Sequence, residues 1–398
     1  MKVLIPNHFP LEGSGSGIYT QNVARELVEQ GHEALVITPS HDQQEGYPFQ
    51  VRSILFSPDD GESQTNGRLP FNFPCFTTHP LSTTKYSDLD EAQRGQYVAA
   101  FESAILEEAK SWIPDIIHAQ HLWTTAYVAS KLGLPYVATA HGTDLMGFRW
   151  YEEWRAMALQ GAAKANAVIA ISGDVARDTV DLYGVPDGRV QIIWNGFNTE
   201  IFRVMPVERD DVLRGHGLEP GIEVLIAFTG KLAEFKGIDV LLQAAATYEK
   251  ALGNVATLIV GDGGLLSELQ ALVNELDLQG VHFLGHQAQD EVARIMNVSD
   301  LAVVPSRVEP FGLVAIEALA CGTPVVATNQ GGLPEFVNER VGALVDVDDA
   351  QGLAAAVIGE IESDSKRVKG PVAAEYARNG FSWTTQVGKM IDLYETAI

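Results

Sequence analysis

Short apolar runs, each followed by a turn and then an amphipathic stretch, recur along this chain and restrict it more than any other feature. The first series is KVLIP at 2–6, ALVIT at 34–38, PDIIHAQ at 114–120, YVATAHG at 136–142, AVIAIS at 167–172 and VQIIWNG. Continuous apolar runs of this length suit parallel strands covered on both faces, and the segments between them suit helical crossovers. The first unit is typical: Val23, Ala24, Leu27 and Val28 fall at helical spacing, and Gly31 ends the helix before the next strand. The rhythm pauses in the polar stretch FRVMPVERDDVLRGHGLEPG and resumes with EVLIAFTG at 223–230, ATLIVGDGG, VHFLGH, DLAVVPS, TPVVATN and ALVDV. The pattern predicts an α/β chain of two Rossmann-like, doubly wound parallel-sheet domains joined near 202–220, which suits its 398 residues. Residues 57–95, with SPDDGESQTNG and FNFPCFTTHP, break the rhythm and read as an insertion or long loop, a usual place for ligand specificity. Solenoid and propeller folds are excluded by the lack of a short-period repeat.

Charge limits the partners. A formal net charge of -25, spread over both halves, repels nucleic acid and disfavours electrostatic binding to an anionic membrane. Cys75 and Cys321 are too few and too far apart for a disulfide framework or a structural zinc site. MKVLIPNHFP does not resemble a signal peptide, and no apolar run reaches membrane-spanning length, so cytoplasmic residence is the expectation.

Ligands of open α/β sheets sit beyond the carboxyl ends of the strands, so the residues that follow each run are the candidates. GSGSG at 13–17 opens the first helix, where amides can approach phosphate; a structural turn is the alternative. HGTD at 141–144 places a histidine at a strand end, as ligand contact or as satisfied interior residue. His118 and His121 lack a nearby third ligand, so no metal site is expected there. TGKLAEFKG at 229–237 carries Lys231 and Lys236, an anion site in a cation-poor chain or two solvated lysines. GDGG at 261–264 and HFLGH at 282–286 are plausible nucleotide loops that are individually ordinary.

EPFGLVAIEALACG at 309–322 sets Glu309 before a helix expected to start near Phe311, and Glu317 inside a segment otherwise made for burial. A buried carboxylate is costly unless a ligand satisfies it. Carboxylates take sugar hydroxyls, while helix-start amides at Phe311, Gly312, Leu313 and Val314 and the two lysines take phosphate, so a nucleoside diphosphate sugar has the required shape.

With those motifs together, the chain resembles a retaining glycosyltransferase of family 4, of GT-B architecture, whose two domains face a central cleft. The resemblance runs nearly end to end, through the Gly-rich first loop, HAQH, HGTD, AISGD, NGFN, TGKLAEFKG, GDGG, PSRVEPFGLVAIEALACGTPVVAT, GGLPE and FSW. It implies an acceptor-binding domain over 1–201, joined by a C-terminal helix at 383–398, and a donor-binding domain over 202–382. It implies that Lys231 and Lys236 hold the donor diphosphate and that lysine at the first position, where arginine is commoner, loses the bidentate fork. It further implies that Glu309 stands beside the transferred sugar, Glu317 binds ribose, His141 contacts the sugar, and Gly15, with Ser16, approaches the diphosphate. His121 and Asp144 fall on the acceptor side. NGFN departs from the family's NG-x-D at Asn198.

The implied reaction moves a hexosyl group from a nucleoside diphosphate sugar to a hydroxyl of a small molecule or saccharide, with retention and without metal or other cofactor. UDP-glucose or UDP-N-acetylglucosamine comes first as donor and GDP-mannose second. Same-face attack and a covalent intermediate on Glu309 both stay open. A nucleotide-sugar epimerase of similar fold and a non-catalytic nucleotide-sugar sensor are the rivals.

Overall fold

The structure, a computed structural model, describes residues 1–58, 67–76 and 79–398. The chain divides into two compact units, Met1–Trp194 with Gln386–Ile398, and Asn195–Thr385. The resemblance implies a first domain that ends at residue 201; the compact units divide after Trp194. The helix Trp383–Ala397 begins in the second unit and continues into the first.

The first unit holds seven strands, β1 (Lys2–Pro6), β2 (Glu33–Ser40), β3 (Gln50–Leu55), β4 (Ile116–Gln120), β5 (Tyr136–Ala140), β6 (Ala167–Ala170) and β7 (Val190–Ile192). They form one parallel sheet in the order β3-β2-β1-β4-β5-β6-β7. The second unit holds β8 (Val224–Thr229), β9 (Val255–Val260), β10 (Val281–Gly285), β11 (Leu301–Val304), β12 (Val325–Thr328) and β13 (Gly342–Val345). Its sheet is also parallel, in the order β10-β9-β8-β11-β12-β13. In both sheets the first strand of the unit lies beside the fourth, and the strand order reverses there. That neighbouring pair opens a crevice at its carboxyl ends.

Strand burial explains which runs the sequence shows clearly. The interior strands β4, β5, β6, β9, β11 and β12 are buried along their whole length. Edge strand β3 (QVRSIL) is mostly half-buried and mixes polar with apolar residues, so the apolar-run pattern passes over it. In the second unit the helices Ile238–Leu252 and Ala350–Glu362 cover the sheet through Leu241, Ala245, Tyr248, Leu353 and Val357, each at most 1% exposed. The leucine and valine side chains among them each contribute about 1.5–3 kcal/mol on burial.

Within the interval 57–95, residues 59–66, most of SPDDGESQTNG, and residues 77–78 lie outside those described. Among the described ones, Phe71, Phe73, Cys75 and Phe76 are buried, so FNFPCF is core rather than a solvent-facing loop. Phe56 pairs with Leu69 and Cys75 with Lys85 through single bridges, and Phe76 stacks on Tyr86 at 4.8 Å between ring centroids. The segment breaks the strand–helix rhythm because it fills the interior with aromatic rings.

Two motifs bind the crossover within the second unit. Phe197 bridges Ser382 in parallel, its amide donates to Phe381 O at 3.2 Å, and a Cβ on Gly196 would lie 2.4 Å from the Trp383 ring. NGFN and FSW are thus two halves of one contact. Asn198 is structural here: its side-chain oxygen accepts from Glu200 N at 2.9 Å. Further along the last helix, the Tyr394 hydroxyl meets buried His118 Nδ1 at 2.7 Å, and His118 Nε2 meets Thr139 Oγ1 at 2.6 Å. Both nitrogens of His118 are engaged, so it is a satisfied interior histidine, and burial pushes it down to about 3. Tyr394→Phe is expected to strand one of these nitrogens and lower stability by about 1–3 kcal/mol, read as a lower urea midpoint of the first unit.

Candidate functional site

The crevice beside β8 and β11 gathers the donor-side candidates of the second unit. After β8 the chain passes Gly230 and Lys231 and makes a short turn, Glu234–Lys236, that ends on Gly237. Gly237 has φ +65, and a Cβ there would lie 2.0 Å from Pro305 O, so only glycine lets this turn rest on the end of β11. Lys236 Nζ then reaches Glu309 Oε2 at 2.6 Å, with the side chains 20% and 11% exposed. Ser306 Oγ donates to the same oxygen at 3.2 Å. Oε1 of Glu309 has no hydrogen-bond partner among the described residues. Lys231 is exposed and without an ion-pair partner among them.

Glu309 is also held through its backbone. Gly332 N donates to Glu309 O at 3.2 Å, and a Cβ on Gly331 would lie 1.7 Å from that oxygen. The GGLPE motif is therefore the support on which the glutamate rests. Thr328 Oγ1 holds Ser306 O at 2.6 Å from the end of β12.

The helix that carries Glu317 runs from Leu313 to Ala320 rather than starting at Phe311, because Gly312 has φ +103 and stands outside helical space. Ala315 N already bonds Gly312 O, so the amides open to a ligand are those of Leu313 and Val314. Phe311 is 4% exposed and packs on Phe336 at 5.6 Å, a core role that sequence reasoning did not assign. Glu317 itself is 8% exposed, and no side chain or amide among the described residues hydrogen-bonds its carboxyl group. Burial raises it to about 8. GDGG finds a packing explanation: a Cβ on Gly261 would lie 1.9 Å from Gly230 O, and one on Gly263 2.2 Å from Leu232 O.

In the first unit, Ser14 caps the helix Gly15–Glu29 by accepting from Gly17 N at 3.0 Å. Gly15 is exposed with nothing near its Cβ position, whereas a Cβ on Gly17 would lie 2.2 Å from Pro10 O. The fold needs Gly17; Gly15 and the half-buried Ser16 leave helix-start amides accessible. His141 is half-buried, its Nε2 bonds Gln120 Oε1 at 2.8 Å, and Tyr19 packs edge-on against its ring at 4.8 Å. Burial, then the neighbouring His121 and His118, hold it well below the usual histidine range. The structure places the two acceptor-side candidates in the interior, both 0% exposed. The Asp144 carboxylate accepts from His141 N at 3.0 Å and Leu122 N at 3.2 Å, and His121 is enclosed by Phe9, Phe76, His8 and His141. Asp144 thus fixes the loop that presents His141, and neither residue offers an exposed atom to an acceptor. Among the described residues no group of three or more His, Cys, Asp or Glu is placed to hold a metal ion.

Family models match both units: Glycosyltransferase Family 4 over residues 13–201 and Glycosyl transferases group 1 over residues 211–379. The chain is 31% identical to the D-inositol 3-phosphate glycosyltransferase of Mycobacterium marinum over 338 residues, 79% of this chain and 71% of that protein. It is 31% identical to the Salinispora tropica enzyme of the same name over 435 aligned positions, 99% of this chain and 83% of the relative. The chain belongs to glycosyltransferase family 4. Solved structures agree on the GT-B fold: sucrose-phosphate synthase from Thermosynechococcus elongatus has TM-score 0.74 at 23% identity, covering 100% of this chain and 98% of that one. Anabaena HepE in complex with UDP and glucose has TM-score 0.73 at 21% identity, with both chains covered fully. This family 4 enzyme is thus a glycosyltransferase acting on sugar nucleotide donors, and no helix among its described residues is long and apolar enough to cross a membrane.

Glu317 gives a stability test. Its carboxyl is protonated more readily in the fold, at about 8, than in the unfolded chain, near 4.5. The stability it contributes is therefore complete below about pH 4.5 and is lost as pH rises through 8. Glu317→Gln is expected to leave the ligand-free protein unchanged near pH 5 and to stabilise it by about 2–4 kcal/mol at pH 9, read by denaturant titration at both pH values.

Proposed function

We propose that this family 4 glycosyltransferase moves a hexosyl group from a nucleoside diphosphate sugar to a hydroxyl group with retention of anomeric configuration, without a metal ion. The observation that carries the reading is the pair of carboxylates on one short segment. Glu309, with one oxygen on Lys236 and the other open, suits the hydroxyls of the transferred sugar. Glu317, buried and unpartnered, suits ribose hydroxyls, which would donate to its charged form. Between them stand the amides of Leu313 and Val314, and Lys231 and Lys236 lie on the adjoining loop, so the diphosphate meets positive potential along its length.

Departure of the diphosphate develops negative charge on its leaving oxygen, and fixed cations and amides at that point lower the barrier more than any flexible group could. The site therefore does with two lysines and a helix start what a divalent ion would do elsewhere. Same-face attack is favoured over a covalent Glu309 intermediate, because the open Glu309 oxygen is assigned to the hydroxyls of the transferred sugar and Oε2 is held by Lys236 and Ser306. His141, held neutral, can exchange a hydrogen bond with a sugar hydroxyl but adds no charge.

UDP-glucose and UDP-N-acetylglucosamine are the first donors to test, supported by the UDP and glucose of the HepE complex; GDP-mannose is the second. The curated relatives act on D-inositol 3-phosphate, which supports a small polyol or saccharide acceptor. An epimerase would need an acid–base pair beyond the two glutamates already assigned. A sensor would bind donor and release it unchanged.

Thermal unfolding with saturating UDP, GDP or ADP is expected to show one clear rise, since ligand at 100 times its dissociation constant adds about 2.7 kcal/mol. Incubation of the matching sugar nucleotide with inositols and simple sugars, followed by mass spectrometry, is expected to give a new glycoside that forms equally well in EDTA. Isomerised donor alone would establish the epimerase instead. Glu309→Gln is expected to lower kcat by about 100-fold or more, and a variant that keeps a tenth of the rate would remove Glu309 from the chemistry. Nucleotide binding at pH 7.5 is expected to release a proton as Glu317 ionises, so calorimetric enthalpies should differ between phosphate and Tris buffers; equal values would detach Glu317 from the ribose.

A further inference from the structure

Arg307 stands two residues before Glu309 in the loop that leaves β11, and its guanidinium joins three segments of the second unit. Nη1 and Nη2 donate to the two carboxylate oxygens of Asp239 at 2.9 and 2.6 Å, Nη1 also donates to Glu234 O at 2.7 Å, and Nε donates to Asp348 at 2.6 Å. The backbone repeats the link. The amides of Arg307 and Val308 both donate to Phe235 O, at 2.8 and 3.2 Å. Glu234, Phe235 and Lys236 form the turn that ends in the cation on Glu309, so the bonds to Glu234 O and Phe235 O tie that turn to the Glu309 loop, while Asp239, in the first turn of the helix that follows, fixes the guanidinium that makes the Glu234 bond.

We propose that Arg307, clamped on Asp239, is a positioning residue that sets the approach of Lys236 to Glu309. The inference rests on the transfer reading given above, in which those two side chains meet the donor. Three observations favour it over a purely structural role. The guanidinium is 25% exposed and its carboxylate partners 38% and 56% exposed, so solvent screens the pairs and they add little to global stability. The fork on Asp239 fixes orientation as well as distance, which a lysine's single ammonium cannot do. The constraint is applied at the first residue of the turn and read out at its last, Lys236, whose long stem would otherwise sample several rotamers. A misplacement of about 1 Å at a reacting centre is enough to lower a rate by about 100-fold.

The test compares Arg307→Lys, Asp239→Asn, the double variant and Asp348→Asn with the wild-type enzyme. Arg307→Lys and Asp239→Asn are expected to lower kcat by about 10- to 100-fold while donor KM moves by less than about threefold and the unfolding midpoint by only a few degrees. The double variant is expected to lose no more than the worse single one, because both break the same link. Asp348→Asn is expected to stay within about twofold, since Asp348 does not hold the Lys236 turn. A second readout needs no turnover: the rate at which formaldehyde and borohydride methylate Lys236 in the ligand-free protein, followed by peptide mass spectrometry. It is expected to rise at least about threefold in Arg307→Lys and Asp239→Asn and to stay unchanged in Asp348→Asn. An unchanged Lys236 rate in the first two variants, or a loss of kcat that merely tracks a loss of folded protein, overturns the proposal. A wild-type chain that forms no glycoside, with Lys236 nevertheless released in those variants, overturns the transfer reading and leaves the clamp standing.

Discussion

The parallel pairing of β8 with β11 is the constraint on which the donor side depends. These strands are adjacent in space and far apart in sequence, and their crossovers leave in opposite directions. The loops that follow them are therefore brought face to face without either having to cover the other. One loop carries the cations Lys231 and Lys236, the other carries Ser306 and Glu309, and the shortest contact between them is an ion pair of 2.6 Å. The same geometry recurs between β1 and β4, whose following residues lead to the Gly-rich helix start and to His121. A chain with the same composition and a different strand order would scatter these residues around the sheet.

Keeping Glu317 buried has a thermodynamic consequence. The fold holds this carboxyl near 8 because the surroundings remove solvent and supply no hydrogen-bond donor. Glutamine would fill the same space without the ionisation penalty, so the glutamate is retained at a loss of stability at neutral and alkaline pH. Such strain is common where a ligand completes the polar contacts that the protein omits. Lys366 is a useful contrast in the same unit: burial lowers it to about 8, yet it bonds Thr323 Oγ1 at 2.6 Å and so has a partner inside the fold.

Much of the architecture was legible because interior parallel strands must be apolar on both faces. Runs such as ATLIV and LAVV can hardly be read otherwise, and the two-series rhythm follows from them. Edge strand β3 was not legible, since one exposed edge relaxes the apolar requirement and QVRSIL resembles a loop. The aromatic segment at 71–76 misled in the opposite direction: its asparagine and proline and the threonines that follow it in sequence suggest a surface loop, while Phe71, Phe73 and Phe76 belong to the core. At the site, Glu309, Glu317 and the two lysines were visible as polar residues at strand ends. Their partners were not. Sequence spacing cannot show that Lys236 pairs with Glu309 across 73 positions, nor that Gly331 exists to let the backbone pass Glu309. Asp144 shows the limit most clearly, because a strand-end aspartate facing solvent and one capping two buried amides look alike in sequence. Burial, which raises it to about 6 while backbone bonds to Leu122 and His141 oppose the rise, separates the two.

That assignment bears on how His141 can act. The ring meets the Gln120 side-chain amide through Nε2 at 2.8 Å. The Asp144 carboxylate does not bind either ring nitrogen; it binds the backbone amide of His141 and leaves the imidazole without a counter-charge. A histidine backed by a carboxylate through its ring would be drawn toward the protonated form and could donate a proton. This one, buried beside neutral imidazoles and in edge contact with Tyr19, is held neutral. In the proposed transfer such a histidine orients a hydroxyl and adds no charge.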